Sequence, residues 1–259
     1  PLPFHHLSGL MPWWRSRCWD SPHIWLPSEL MRQPENLERF CQTLHRPNQE
    51  DFFLSLVPTQ LKRLLSHHSA IRLLKACAVI WIGGAHLSES LAEQAREQGL
   101  RLAPCYGATE TAAMITALSP KDFLLGVNSC GQPLDDVELL VPDSGVLQVK
   151  TSRLALARWS QQRMKPLVND DGWWITGDFA HFLEGDFQDY LHIDGRVDFA
   201  INSGGETVFP EELEARFMKA ADRKEVSIKY ILFVPVEDSL WGQRLIALVR
   251  FSDGRLPRE

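Results

Sequence analysis

The stretch from Cys77 to Gly107 confines this chain more than any other part of it. CAVIWIGG (77–84) is a continuous apolar run closed by two glycines, the pattern of a central strand covered on both faces. HLSESLAEQAREQG follows. Leu87, Leu91 and Ala95 recur every fourth residue, Glu89, Glu93, Arg96 and Glu97 take the other side, Ser88 suits an N-cap and Gly99 a stop. RLAPCYG (101–107) then reads as a second strand running into a loop. Strand, helix, strand predicts an α/β unit with a mostly parallel sheet, because a parallel return needs a crossover of this length.

Around that unit the texture changes twice. FFLSLVPTQLKRLL (52–65) begins as a buried strand and becomes a helix at Pro58, whose missing N–H costs nothing in a first turn. Residues 1–40, with PWWRSRCWDSPHIWLP, are punctuated so often by proline that strand pieces and turns are expected, with a short helix near 34–44. βα units thus span 50–120. From about 126 to 193, short alternating segments divided by Gly, Pro and Asp predict a β-rich subdomain. A boundary falls at DGRVDF (194–199), giving domains of 1–197 and 198–259. In the second, PEELEARF starts a helix with Pro210 in its first turn and Glu211 and Glu212 near the positive end of the dipole, while YILFVPVED and LIALVRF are strands.

Composition excludes several classes. Lys plus Arg number 27 against 33 Asp plus Glu, a formal charge of -6 that offers no global attraction to a polyanion. The 5 cysteines are widely spaced and form neither a metal-ligand pair nor a disulfide framework, which fits a reducing, cytoplasmic compartment. No apolar run approaches the roughly 20 residues of a membrane helix, so no membrane insertion is expected. GxGxxG, GxSxG, HExxH and CxxC are all missing, which removes the anchor for dinucleotide, serine hydrolase and zinc protease readings.

Several segments carry chemistry. In CYGATETAA (105–113) a tight turn at Gly107 is flanked by Tyr106, which can stack on a base, Thr109, which can hydrogen-bond a phosphate, and Glu110, a hard oxygen ligand for Mg²⁺. An ordinary strand-to-helix loop would read the same way. TGD (176–178) offers Asp178 as an acceptor for ribose hydroxyls, as any Gly-Asp turn could. In DGRVDFAINSGGETVFPEELE (194–214), Arg196 is a forked donor, and Ser203, Gly204 and Gly205 form a flexible turn that a ligand could approach; a linker would also serve. Gly83, Gly84 and Ala85 end the apolar strand, where open α/β sheets place ligands. His5 and His6 lack partners at metal spacing.

In this order, the segments resemble the adenylate-forming superfamily of acyl-CoA synthetases, luciferases and peptide-synthetase adenylation domains. YGATE (106–110) is similar to its core signature, TGD to its ribose-binding motif, and GRVDFAINSGGETVFPEELE (195–214) to its hinge motif and following loop. Three ordered motifs over more than a hundred residues are far more specific than one. Within the superfamily, PLPFHHLSGLMPWWRS and IGGAHLSESLAEQAREQGLRLAPCYGATETAAM look most like the 2-succinylbenzoate-activating ligases of menaquinone and phylloquinone synthesis. Other aryl- and fatty-acyl-CoA ligases, or a nucleotide-binding relative without turnover, share much of this framework.

The resemblance implies an α/β, adenylate-forming fold: a large multi-sheet domain, of which this chain carries the second half, and a small mobile α+β domain, here incomplete. It implies ATP, Mg²⁺ and coenzyme A as co-reactants, with a small carboxylic acid as substrate; a homodimer stays open. Tyr106 would stack on adenine opposite Gly83, Gly84 and Ala85, with Gly107 and Thr109 at the phosphates and Glu110 carrying the metal. Asp178 and Arg196 would hold the ribose, His6 and Gly84 would line the acyl pocket, and Ser203, Gly204, Gly205 and Glu206 would lie near the pantetheine channel. Asp198 occupies the hinge.

Two family features have no counterpart here: a Ser/Thr/Gly-rich phosphate loop with a lysine, and a late lysine in a GK-type motif. The chain also opens without Met, and family chains are roughly twice this length, so a partial polypeptide is expected. Asp198→Pro is expected to slow thioester formation more than adenylation when the half-reactions are measured separately; equal losses would remove Asp198 from that role.

Overall fold

A computed structural model describes residues 4–33, 36, 37, 39, 40, 52–160, 162–203, 206–238 and 241–254. The chain divides into two compact units. One comprises Pro1–Leu139, Val149–Trp174 and Phe182–His192; the other comprises Leu140–Gln148, Ile175–His181 and Ile193–Glu259.

The first unit is built on the predicted strand–helix–strand. β1 (Phe52–Leu56), β2 (Cys77–Ile82) and β3 (Leu102–Gly107) run parallel, while β4 (Met114–Ala117) and β5 (Gln132–Pro133) return antiparallel, in the order β1-β2-β3-β4-β5. The sheet is therefore mixed rather than mostly parallel. A turn of a few residues after Gly107 leaves no room for a crossover, so β4 can only come back antiparallel.

Three helices connect the parallel strands: α3 (Pro58–Leu65) and α4 (His68–Ala76) between β1 and β2, and α5 (Glu89–Glu97) between β2 and β3. α3 starts on Pro58, and the Gln60 carboxamide accepts from the Val57 N–H at 3.1 Å, satisfying one of the donors a helix start leaves open. α5 has Ser88 at its N-cap and Gly99 just past its end in the left-handed region, as its sequence predicts. Leu91 and Ala95 are buried. Their layer joins Leu61, Leu64, Leu74, Ile80, Leu102 and Phe123 in one core. The short α6 (Pro120–Leu124) closes it: Ser119 accepts from the Asp122 N–H at 3.1 Å, and Arg96 donates to the Phe123 carbonyl at 2.8 Å.

One expectation fails in the first forty residues. Instead of strand pieces and turns, Leu7–Cys18 forms a twelve-residue helix, α1, with Pro12 inside it, followed by the short α2 (Ser28–Arg32). An interior proline removes one backbone hydrogen bond and costs about 3 kcal/mol. Here Gly9 and Ser16 are buried, the Ser16 hydroxyl donates to the Trp13 carbonyl at 2.7 Å, and Arg15 and Arg17 sit in the last turn, where the dipole favours cations. Pro22 and Pro27 lie beyond the helix, so only one proline has to be tolerated. Most of the helix expected near 34–44 lies outside the described residues.

Short strands follow as predicted. β6 (Glu138–Leu140), β7 (Val146–Lys150), β10 (Trp174–Phe182) and β11 (Leu191–Arg196) form a four-stranded sheet in the order β11-β10-β7-β6, and β8 (Ala157–Ser160) pairs with β9 (Arg163–Pro166) as a hairpin. In the second unit, β12 (Ile201–Ser203), β13 (Glu206–Val208), β14 (Ile228–Asp238) and β15 (Gly242–Phe251) form an antiparallel sheet ordered β13-β12-β15-β14. α7 (Pro210–Arg223) packs on β14, where Phe217 meets Phe233 edge-on at 5.2 Å and the Glu214 carboxylate accepts from the Phe233 N–H at 2.9 Å.

Ile80 is 0% exposed and lies in register with Leu54 on one side and Leu102 on the other. Ile80→Ala is expected to cost about 2–5 kcal/mol in denaturant unfolding. Leu125→Ala, at a position 70% exposed, is expected to stay within about 0.5 kcal/mol.

Candidate active site

The carboxyl ends of β1, β2 and β3 form a rim, and the next turn sits on it. β3 bulges at Tyr106/Gly107, and the chain then folds back through a 3-10 turn, Thr109–Thr111, into β4. The fold-back is so tight that a Cβ on Gly107 would lie 2.3 Å from the Ala113 carbonyl oxygen and 2.6 Å from the Met114 Cα. No larger residue fits there. The strain continues at Ala112, whose φ of 61° is unusual without glycine. Thr111, which the sequence reading did not single out, holds the turn closed. It is fully buried, its hydroxyl accepts from the Ala108 N–H at 3.0 Å, and it donates to the Ala113 carbonyl at 2.7 Å.

This turn presents the predicted residues. Tyr106 is half-buried, and Thr109 is exposed with no side-chain partner among the described residues. The Glu110 carboxylate accepts from Arg158 Nη2 at 2.7 Å. Gly83 adjoins β3 directly: a Cβ there would be 3.1 Å from Cys105 Sγ. Gly84, with φ of +80°, and Ala85 are exposed just beyond it.

A second feature of the rim escaped the sequence reading. Arg15 reaches from α1 to Ser55 on β1 at 3.4 Å, with its guanidinium carbon 4.4 Å from the Trp81 ring centroid on β2. Burial lowers the Arg15 guanidinium from its ordinary value while the nearby Cys105 sulfur opposes that shift. Among the described residues no carboxylate pairs with it. A half-buried cation with no anion of its own is suited to bind one. Nothing in PWWRSRC distinguishes Arg15 from Arg17, because the distinction comes from which face of α1 meets the sheet. His6 stands at the N-cap of the same helix, exposed, with its ring 4.6 Å from that of His5.

The other predicted residues belong to the second unit. TGD is not a turn: it lies inside β10, kinked at Gly177, whose φ is +81°. The Thr176 hydroxyl donates to the Leu147 carbonyl at 3.0 Å and accepts from the Asp178 N–H at 3.0 Å, fixing the kink. Asp178 is buried, with a carboxylate oxygen 3.4 Å from Arg196 Nη1. Arg196 Nη2 is 3.1 Å from the carboxylate of Asp198, which lies in the exposed 3-10 turn Val197–Phe199 after β11. One guanidinium thus joins the predicted ribose carboxylate to the predicted hinge residue. Ser203 and Glu206 face each other across the β12–β13 hairpin, while Gly204 and Gly205 lie outside the described residues.

The donor set suits a Mg²⁺ shared with phosphates. Among the described residues no group of three or more His, Cys, Asp or Glu side chains could cage a metal alone. Mg²⁺ is commonly held by one or two carboxylates plus substrate phosphates and water. Glu110, beside the exposed Thr109 hydroxyl, could supply that minimum.

The model of the AMP-binding enzyme family matches residues 1–151, and the chain belongs to that family. It is 32% identical over 254 residues to the 2-succinylbenzoate–CoA ligase of Salmonella typhimurium, covering 97% of this chain and 48% of that protein. The enzyme of the same name from Geobacillus kaustophilus is 28% identical over 267 residues, covering 100% of this chain and 51% of its own. Among solved structures, wild-type E. coli MenE with a bound m-phenylether-linked analogue of OSB-AMS is similar at a TM-score of 0.70 and 29% identity, over 99% of this chain and 51% of that one. The fold is therefore that of the adenylate-forming enzymes, and the chain spans about half the length of the curated relatives it matches. Among the described residues, no helix is long and apolar enough to cross a membrane.

The Cys105 thiol gives a test of the rim. Burial pushes it up to about 11 from an ordinary 9.0, with Arg15 pulling the other way. Its contribution to stability is therefore intact below pH 9 and lost as the pH rises toward 11. Iodoacetamide at pH 8 is expected to modify exposed Cys18 and spare Cys105, as read by peptide mass; equal rates would contradict this rim geometry.

Proposed function

We propose that this chain carries out, in the complete enzyme, the ATP-dependent activation of 2-succinylbenzoate and its transfer to coenzyme A. In the first step a substrate carboxylate oxygen attacks the α-phosphorus of ATP, the bond to pyrophosphate breaks, and an acyl-adenylate results. In the second, the coenzyme A thiol loses its proton and attacks the acyl carbon, and AMP leaves. The curated relatives are named for this ligase activity.

The observation that carries the reading is Arg15. 2-Succinylbenzoate bears two carboxylates, of which only one is activated, and the other would be costly to bury without a cation. Arg15 meets that need at the strand ends that also present Gly83 and the Tyr106–Glu110 turn.

The remaining roles are those that the resemblance of the motifs implies. Tyr106 stacks on adenine beside Gly83, Gly84 and Ala85, Thr109 donates to a phosphate oxygen, and Asp178 accepts from the ribose hydroxyls with Arg196 alongside. Glu110 would hold Mg²⁺, which would supply charge neutralisation at the phosphates. His6 and Gly84 line the acyl pocket. Residues 198–259 form the smaller domain, which swings about Asp198 and brings the Ser203–Glu206 hairpin to the pantetheine channel for the second step.

Pyrophosphate release from ATP by the complete enzyme, measured with 2-succinylbenzoate, benzoate or a fatty acid, tests the assignment. Release with 2-succinylbenzoate alone is expected. Release with another acid would correct the substrate, and no release with any acid would overturn the ligase reading. Arg15→Ala is expected to remove a charged hydrogen bond of about 1.5–3 kcal/mol, raising KM for 2-succinylbenzoate roughly tenfold or more while leaving KM for ATP unchanged.

A further inference from the structure

We infer that Arg158 is a built-in competitor of the divalent cation, occupying the Glu110 carboxylate until a metal displaces it. The inference rests on the reading of Glu110 as the metal-carrying residue and adds a residue which that reading does not use.

The contact is specific in its placement. Arg158 lies at the start of β8, forty-eight residues beyond Glu110, and its Nη2 is 2.7 Å from Glu110 Oε1. The segment leading to it is fastened to the same turn. Arg153 donates to the Met114 carbonyl at 3.1 Å and grips Asp136 through Nε at 2.7 Å and Nη2 at 3.1 Å. Burial pushes the Asp136 carboxyl up, but hydrogen bonds from Arg153 and Thr151 outweigh it and bring it below its ordinary value, so this clasp stays ionised at neutral pH. Two residues on, the Ala155 N–H donates to the Glu110 carbonyl at 2.8 Å. Backbone and side-chain bonds on both sides of β4 therefore deliver Arg158 to Glu110.

The exposures of the two partners show which one gives way. The Glu110 side chain is 26% exposed and sits on a rigid turn, whereas that of Arg158 is 59% exposed on a long flexible stem. A guanidinium and a divalent cation both neutralise a carboxylate, and they cannot take the same oxygen at once. Without metal, Arg158 spares Glu110 an uncompensated charge beside the phosphate-binding turn. When Mg²⁺ and phosphates arrive, the guanidinium leaves the carboxylate. The contact is then a threshold: weak metal binding is suppressed until phosphate oxygens add their share of the coordination.

Binding of Mn²⁺ alone, read from solvent-proton relaxation at low ionic strength, tests this without turnover. Glu110→Gln defines the Glu110-dependent binding. Arg158→Gln is expected to tighten that component about two- to fivefold, the range for losing an exposed ion pair, and Arg158→Lys is expected to fall between wild type and Gln. Unchanged or weaker Glu110-dependent binding in Arg158→Gln, with the thermal unfolding midpoint preserved, would overturn the competition while leaving Glu110 as the metal residue. Mn²⁺ binding unaffected by Glu110→Gln would overturn both.

Discussion

The backbone reversal after Gly107 is the constraint on which the candidate site depends. Because no side chain fits between residue 107 and the Ala113–Met114 backbone, β3 can turn straight into an antiparallel β4. That single close approach does three things. It ends the parallel part of the sheet, it lifts Thr109 and Glu110 onto the rim, and it gives Arg153 and Ala155 a fixed edge to bind. The turn also carries strain at Ala112, held in place by the buried Thr111 hydroxyl. Strain that persists because its surroundings over-determine it is common where a loop must be presented in one shape.

Charge is organised in pairs within each unit. Glu110 meets Arg158, Asp178 meets Arg196, and Asp136 meets Arg153. Each of the two carboxylates expected at the nucleotide, Glu110 in one unit and Asp178 in the other, faces a guanidinium. Arg15 is the exception, a cation at the rim without an anionic partner among the described residues. The net charge of -6 hides this, because it is a sum over a surface on which the useful charges are local.

Local chemistry made much of the architecture readable. The apolar run at 77–82, the fourfold recurrence through Leu87, Leu91 and Ala95, and the placement of Pro58 and Pro210 each demanded one element, and each element formed. The failures share a cause. Pro12 opposes a helix by local rules, yet α1 forms, with Gly9 and Ser16 buried and Arg15 reaching Ser55 and Trp81 on the sheet. TGD reads as a turn from its glycine, yet it lies inside a nine-residue strand whose partners absorb the kink. In both places non-local contacts overruled the preference of a single residue.

The sequence by itself determined the α/β class and, through three ordered motifs, the family, because glycine turns, hydroxyls and carboxylates at fixed spacing form a signature that is read locally. Only tertiary structure singled out cations beyond Arg196. Arg15, Arg153 and Arg158 are three among many arginines in the chain, and no spacing rule separates them from their neighbours. Each gained its place when a distant segment came within a few ångströms of it: Ser55 and Trp81 for Arg15, Met114 and Asp136 for Arg153, Glu110 for Arg158. An ion pair depends on the distance between its partners in the folded chain, and their separation along the sequence does not set that distance.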